Sequence, residues 1–191
     1  MAVAAVDVHR WTREEYERMA AEGYFAPDSR VELIEGVVYD MSPQNSAHTS
    51  GLHRGLRLLN AVFADAYIRV QSPLALGEAS EPEPDLAVVP GRLEDYEGAH
   101  PTTARLVVEV ADSSLAHDRL RKIPVYARHG IPEAWLLDLK ARRLEVHRDP
   151  LDGVYRTRRV LRAGAAVSPL ARPEARIAVA DLLPAVAKPV P

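Results

Sequence analysis

The chain has 191 residues and 21.0 kDa, 47% hydrophobic and 27% charged, with no cysteine. That composition describes a globular chain able to bury a core, and it excludes a disulfide framework, thiolate metal sites and a cysteine nucleophile. A net charge of −3 argues against a protein that coats nucleic acid non-specifically. The average hides a gradient: residues 1–118 carry −11, residues 119–162 carry +7 and residues 163–191 carry +1. An acidic half followed by a basic stretch suits carboxylates for a cation beside arginines for a phosphate backbone, although two solvated faces would give the same count. The first residues, Met1 to Val8, lack a basic flank and a long apolar run, and no stretch of about 18 apolar residues occurs. The expectation is a soluble cytoplasmic protein without membrane association.

In chain order, Thr12 and Glu15 have the spacing of a capping box and predict a helix from Thr12 to Ala21, stopped at Gly23. Two β-prone runs, Arg30 to Ile34 and Val37 to Met41, separated only by Glu35-Gly36, predict a tight hairpin. Leu52, Leu56, Leu59, Val62 and Phe63 recur at helical spacing, predicting an amphipathic helix over Ser46–Ala66 that leads to a strand at Tyr67–Val70. The unbroken apolar runs Leu86–Val89 and Leu106–Val110 suit central strands covered on both faces. A helix is expected from Leu120 to His129, starting within a turn of Pro124 because proline is excluded from a helix interior. Strands at Ala134–Asp138, Arg143–His147 and Tyr155–Val160 complete an α/β architecture with a mixed sheet. Residues 1–162 read as one domain, and the Pro/Ala-rich segment 163–191 as an extension packed on that domain or exchanged with a partner.

Two apolar strands each carry a carboxylate that their pattern does not require. Asp85 follows Pro84 at the head of one, and Glu109 interrupts Leu106-Val107-Val108-Glu109-Val110 in the other. An ionised carboxylate buried there needs a compensating cation or donor. A divalent metal held by two carboxylates is one solution, and backbone donors with an arginine are another. Glu32 sits between Val31 and Leu33, either facing solvent or facing a site. Lys122 lies thirteen residues beyond Glu109, as a surface lysine or as a cation beside the carboxylates, and Tyr126 shares its helix face one turn on. His48 opens the second helix and is read as its cap, as a lining residue, or as both. His117, adjacent to Asp118, is set aside because neighbouring residues seldom bind one ion together.

The order Glu32, Pro84-Asp85, Glu109, Lys122 resembles the PD-(D/E)XK nuclease superfamily. More closely, the chain resembles the Uma-two family of bacterial proteins classed with restriction endonucleases. The resemblance is carried by Val31 to Gly36 leading to Met41-Ser42-Pro43, by His48, by Pro82 to Leu86, by Leu106 to Val110 with Asp112-Ser113-Ser114, by Asp118 to Lys122 with Tyr126-Ala127-Arg128, and by Gly130 to Trp135. It covers residues 10–160. It implies a restriction-endonuclease-like mixed sheet flanked by helices, with Asp85 and Glu109 holding Mg²⁺ or Mn²⁺, Glu32 assisting and Lys122 in the lysine role. The residue two after Glu109 is Ala111 where the superfamily pattern has lysine, so the lysine must have moved to the helix or be absent. The implied activity is metal-dependent hydrolysis of DNA by a cytoplasmic homodimer. His48 and Tyr126 are then expected to line the site, and Arg119, Arg121 and Arg128 to meet phosphates. The alternatives are a nuclease-fold nucleic-acid-binding module without catalysis, and a protein-interaction or assembly subunit.

Overall fold

A computed structural model of the chain describes residues 8–26 and 28–185. The Met1–Asp7 part of the amino-terminal stretch and residues 186–191 of the tail lie outside the described residues. Helix α1 (Arg13–Ala21) begins at the expected capping box, in which the Thr12 side chain accepts the Glu15 N–H while the Glu15 carboxylate accepts the Thr12 N–H. Strands β1 (Val31–Ile34) and β2 (Val37–Asp40) form the expected antiparallel hairpin. Its turn residues have φ of 49° at Glu35 and 74° at Gly36, a conformation that suits Asn or Asp followed by Gly and tolerates Glu at a cost. A side chain at Gly36 would also meet Arg10, whose Cβ lies 2.7 Å from where its own Cβ would sit.

Helix α2 (Ser46–Val62) starts as expected, with Asn45 as its cap: the Asn45 side chain accepts the His48 N–H at 3.0 Å. The sheet follows as β3 (Tyr67–Val70), β4 (Leu86–Val89), β5 (Leu106–Ala111), β6 (Glu133–Asp138), β7 (Arg143–Leu151) and β8 (Val154–Arg162), in that spatial order. Among the described residues only the β5–β6 pair is parallel, and the helical segment between them is the crossover that a parallel pair requires. Every residue of β4, β5 and β6 is buried. Alternation divides their side chains between two cores: Leu86, Val88, Val108, Val110 and Trp135 face α2, and Ala87, Val89, Val107, Ala134 and Leu136 face the crossover.

The crossover departs from expectation. It begins at Leu115 with α3 (Leu115–His117), passes through a π turn over Asp118–Lys122, and continues as α4 (Ile123–Arg128). Pro124 therefore lies within a continuous helical course. Its ring would collide with the carbonyl of Leu120 in a regular helix, and the widened turn, in which Ile123 N–H reaches Asp118 O, relieves that collision. After β8 come β9 (Ala166–Val167), β10 (Ile177–Ala178) and α5 (Val179–Leu182), and Val167, Ile177, Val179, Leu182 and Leu183 belong to the α2-side core. Among the described residues no helix is long and apolar enough to cross a membrane.

Candidate nuclease site

A cleft of about 330 Å³ opens where the β1–β2 hairpin, the start of α2, the ends of β4 and β5, and the α3 region meet. Glu32, Asp85, Glu109, Lys122 and His48 all line it. The centre is the Lys122 ammonium, 3% exposed and fully partnered: 3.0 Å from Glu109 Oε1, 3.3 Å from Glu32 Oε2, and 2.8 Å from the Glu83 carbonyl to which it donates. The π turn aims this lysine inward, and both Asp118 and Lys122 at its ends are buried. Pro82 and Pro84 leave Glu83 as the only residue of Pro82-Glu83-Pro84 with an amide to give, and that amide donates to Glu32 Oε2 at 3.0 Å. One rigid dipeptide edge thus holds Glu32 by its N–H and Lys122 by its C=O.

Asp85 is held by three groups. It accepts the Val110 N–H at 2.8 Å, the Gln71 side-chain amide at 2.9 Å, and contacts His48 Nε2 at 3.1 Å. Burial pushes its pKa up, but the His48 contact, Lys122 and the Val110 amide outweigh burial and leave it below the ordinary value. The Asp85 contact in turn raises the His48 pKa. For Glu32 burial is again opposed, by Lys122, His117 and the Glu83 amide, which hold its carboxyl at about 2. Glu109 goes the other way: complete burial raises it well above its ordinary value despite Lys122, and Asp118 and Asp85 add to the rise. Burial also raises Asp118. Lys122 stays charged, because Glu109 and Glu32 outweigh its own burial.

The residues singled out in the sequence fall in different places. Glu32 is buried and faces the cleft. His48 does not cap α2, a role taken by Asn45, and its ring lies on Asp85. Tyr126 does not line the cleft: it is fully buried behind Glu109 and donates to Glu109 Oε1 at 2.5 Å. Arg119, Arg121 and Arg128 are not among the lining residues; Arg119 pairs with Glu145 at 2.6 Å, Arg128 pairs with Glu35 at 2.7 Å, and Arg121 is exposed. His117, set aside in sequence, lines the cleft and meets Glu32 Oε1 at 2.9 Å. Asp118, Gln71 and Glu83 were also missed. Asp118 had a signal, since it stands one turn before Lys122, whereas Gln71 had none: it is brought in by a left-handed backbone, φ 44°, with its own N–H donated to the Asp85 carbonyl.

The donor set fits a hard divalent cation. Among the described residues the lining holds seven carboxyl side chains against Arg30, Lys122 and two histidines, an acidic set of oxygen donors. Among the described residues no three His, Asp or Glu are gathered as a ready ligand set, so an ion here would take one or two carboxylates and complete its shell with water, as Mg²⁺ commonly does.

A mixed six-stranded sheet flanked by helices, with Asp85 at the head of one central strand, Glu109 within the next and a lysine on the crossover, defines a restriction-endonuclease-like α/β protein. Residues 13–180 match the profile of the Uma2 family, described as "Putative restriction endonuclease", and the chain belongs to that family. Among solved structures, the chain is similar to a "putative nuclease belonging to DUF820" from Anabaena variabilis ATCC 29413, with a TM-score of 0.71, 18% identity, and coverage of 90% of this chain and 97% of that one. At that identity the likeness shows the fold. No curated protein matches.

Proposed function

We propose that the protein is a metal-dependent endonuclease that hydrolyses phosphodiester bonds of DNA, with Asp85, Glu109 and Lys122 essential and Glu32 supporting. The observation that carries this reading is the convergence of Asp85, Glu109 and Lys122 in one acidic cleft although the lysine comes from a different element than the superfamily pattern specifies. Asp85 and Glu109 would hold Mg²⁺ or Mn²⁺, which when bound supplies Lewis-acid polarisation of a phosphate oxygen and lowers the pKa of water. Asp85 is preorganised for this by the Val110 amide and Gln71, so it need not reorient. The Lys122 ammonium, fixed by Glu32 and the Glu83 carbonyl, stabilises by its charge the negative charge developing on the phosphate, and it orients the attacking water with the third donor once Glu109 exchanges its lysine contact for the metal. Water oxygen bonds to phosphorus and gives up a proton to solvent as the bond to the leaving oxygen breaks, and the departing oxygen takes a proton from solvent. Tyr126 keeps Glu109 aimed at the cleft from behind. A twofold homodimer would give each strand of a duplex its own site, and the domain is taken to continue past residue 162 through the core residues Val167 to Leu183.

The test is cleavage of supercoiled plasmid and of single-stranded DNA with Mg²⁺ or Mn²⁺ by wild type, Asp85→Asn, Glu109→Gln and Lys122→Met. Metal-dependent cutting lost in all three variants supports the reading. Metal-independent DNA binding with no cutting under any condition favours the binding module without catalysis instead.

A further inference from the structure

The sheet face that carries Glu109 continues outward over β6, β7 and β8, and its far half is rich in arginine. Strand pairing runs from Glu109 to Leu136, Glu145 and Val160, and one rung on from Ala111 to Asp138, Arg143 and Arg162. A third rung joins Val107, Ala134, His147 and Arg158. Paired residues share a sheet face, so Arg143, Arg158 and Arg162 all stand on the Glu109 side. Ala111 directly precedes Asp112, which lines the cleft, so the Arg143 and Arg162 end is level with the cleft mouth. At about 4.8 Å per strand, Arg162 stands about 14 Å across the sheet from Ala111. That span equals about four nucleotide steps of one DNA strand at 3.4 Å each.

Arg119, Arg143 and Arg158 are held in place before any ligand arrives. Glu145, fully buried, takes Arg119 Nη2 at 2.6 Å, Arg158 Nη2 at 3.0 Å and Arg143 Nη2 at 3.5 Å, while Asp138 takes Arg143 Nη2 at 3.0 Å. Arg119 and Arg158 spend Nε and Nη2 on Glu145, and Arg143 spends the same pair on Asp138. The Nη1 group of each has no protein acceptor among the described residues. Arg158 and Arg162 are exposed, and Arg162 has no ion pair among the described residues. Two buried carboxylates thus orient three guanidiniums and leave the shelf positive, so little side-chain entropy remains to be lost on binding. This is where the basic segment of the sequence goes: it balances an acidic cleft that would repel a phosphate backbone.

We propose that this shelf is a contact surface for the backbone of duplex DNA, on which Arg143, Arg158 and Arg162, with Arg119 behind them, engage successive phosphates of a strand leaving the cleft. The placement of the scissile bond in the cleft rests on the nuclease reading; the backbone contact itself needs no catalysis. The test is fluorescence anisotropy with a duplex of about 20 base pairs in EDTA, over about 50 to 200 mM salt. It compares wild type, Arg158→Gln, Arg162→Gln, their double variant, and Arg57→Gln, an exposed arginine on α2 across the sheet. Each shelf arginine removed should lower the slope of log K against log salt by about 0.9, and the double variant by about 1.8, with Arg57→Gln unchanged. Arg162→Gln breaks no ion pair, so it reports binding even if Arg158→Gln disturbs the Glu145 cluster. An unaltered slope in the double variant overturns the shelf, as does competition by polyglutamate equal to that by unlabelled duplex. Plasmid cleavage by wild type is scored separately: altered slopes without cleavage support the shelf and remove the catalytic reading, while unaltered slopes with cleavage do the reverse.

Discussion

Replacing Lys122 by Met removes the one cation buried among Glu32, Glu109 and the Glu83 carbonyl, at a position 3% exposed. Methionine fills much of the same volume, so the loss is electrostatic rather than a cavity. Removing one partner of a buried pair costs about 3–5 kcal/mol because the other charge is left uncompensated. Here Glu109 limits the cost by taking up a proton, since burial already raises its proton affinity. The sign follows from that shift: a carboxyl with a raised folded-state pKa contributes stability below its unfolded value and loses it as pH rises through the folded one. Lys122→Met should therefore be less destabilising at pH 5 than at pH 8. With an m-value of about 2 kcal/mol/M, a loss of about 4 kcal/mol at pH 8 moves the urea midpoint down by about 2 M. Adding Glu109→Gln removes the stranded charge, and the double variant should recover part of the loss. A Lys122→Met midpoint within about 0.5 M of wild type, or a double variant whose loss equals the sum of the two single losses, would refute the claim that these groups stabilise one another.

Three further expectations follow from individual contacts. Glu32 has a folded-state pKa of about 2 against an ordinary 4.5, so its contribution, on the order of 3 kcal/mol, is present above about pH 4.5 and fades as pH falls toward 2; urea midpoints of wild type and Glu32→Gln should converge between pH 6 and pH 3, and a constant gap would exclude this origin. Gln71→Ala loses the donor to Asp85 while keeping φ near 44°, whereas Gln71→Gly loses the same donor and relaxes the backbone; thermal melts should place the glycine variant above the alanine one by about 1 kcal/mol, and the opposite order would show that the backbone is unstrained. Gly51→Ala puts a Cβ 2.9 Å from Val110 Cγ1, directly across the sheet from the site; despite the better helix propensity of alanine it should lower stability by about 1–3 kcal/mol, and a stabilised variant would mean that α2 shifts freely.

The parts of the fold that were legible in the sequence are those set by local chemistry. Thr12 with Glu15, Glu35-Gly36, and the unbroken runs around Leu86 and Leu106 each fix an element through a cap, a turn or a burial pattern that needs no distant partner. Asp85 and Glu109 stood out because a carboxylate in an apolar strand is costly, and both line the cleft. What was hidden depended on other parts of the chain. The π turn that admits Pro124 carries no pattern of its own, and it is this turn that brings Lys122 to Glu109. The Tyr126 hydroxyl could be placed near Lys122 by helical spacing, but its choice of Glu109 is decided by the packing of its helix against the Glu109 face of the sheet. Arg119 and Arg128, expected to meet phosphates, pair with Glu145 and Glu35, and neither pairing had a local signal because the partners lie far away in sequence. His117 was set aside on its adjacency to Asp118, yet its partner is Glu32, 85 residues earlier. The end of the composition-based domain at 162 falls just before β9, whose Val167 and the later Ile177, Val179, Leu182 and Leu183 share the α2-side core.

The most direct measurement of the central claim is calorimetric titration of Mn²⁺ into wild type and into the Asp85→Asn/Glu109→Gln double variant. The expected result is saturable binding in wild type that is lost in the double variant while its circular dichroism is preserved. Equal affinity in the two proteins would contradict the assignment of Asp85 and Glu109 as the metal-holding pair.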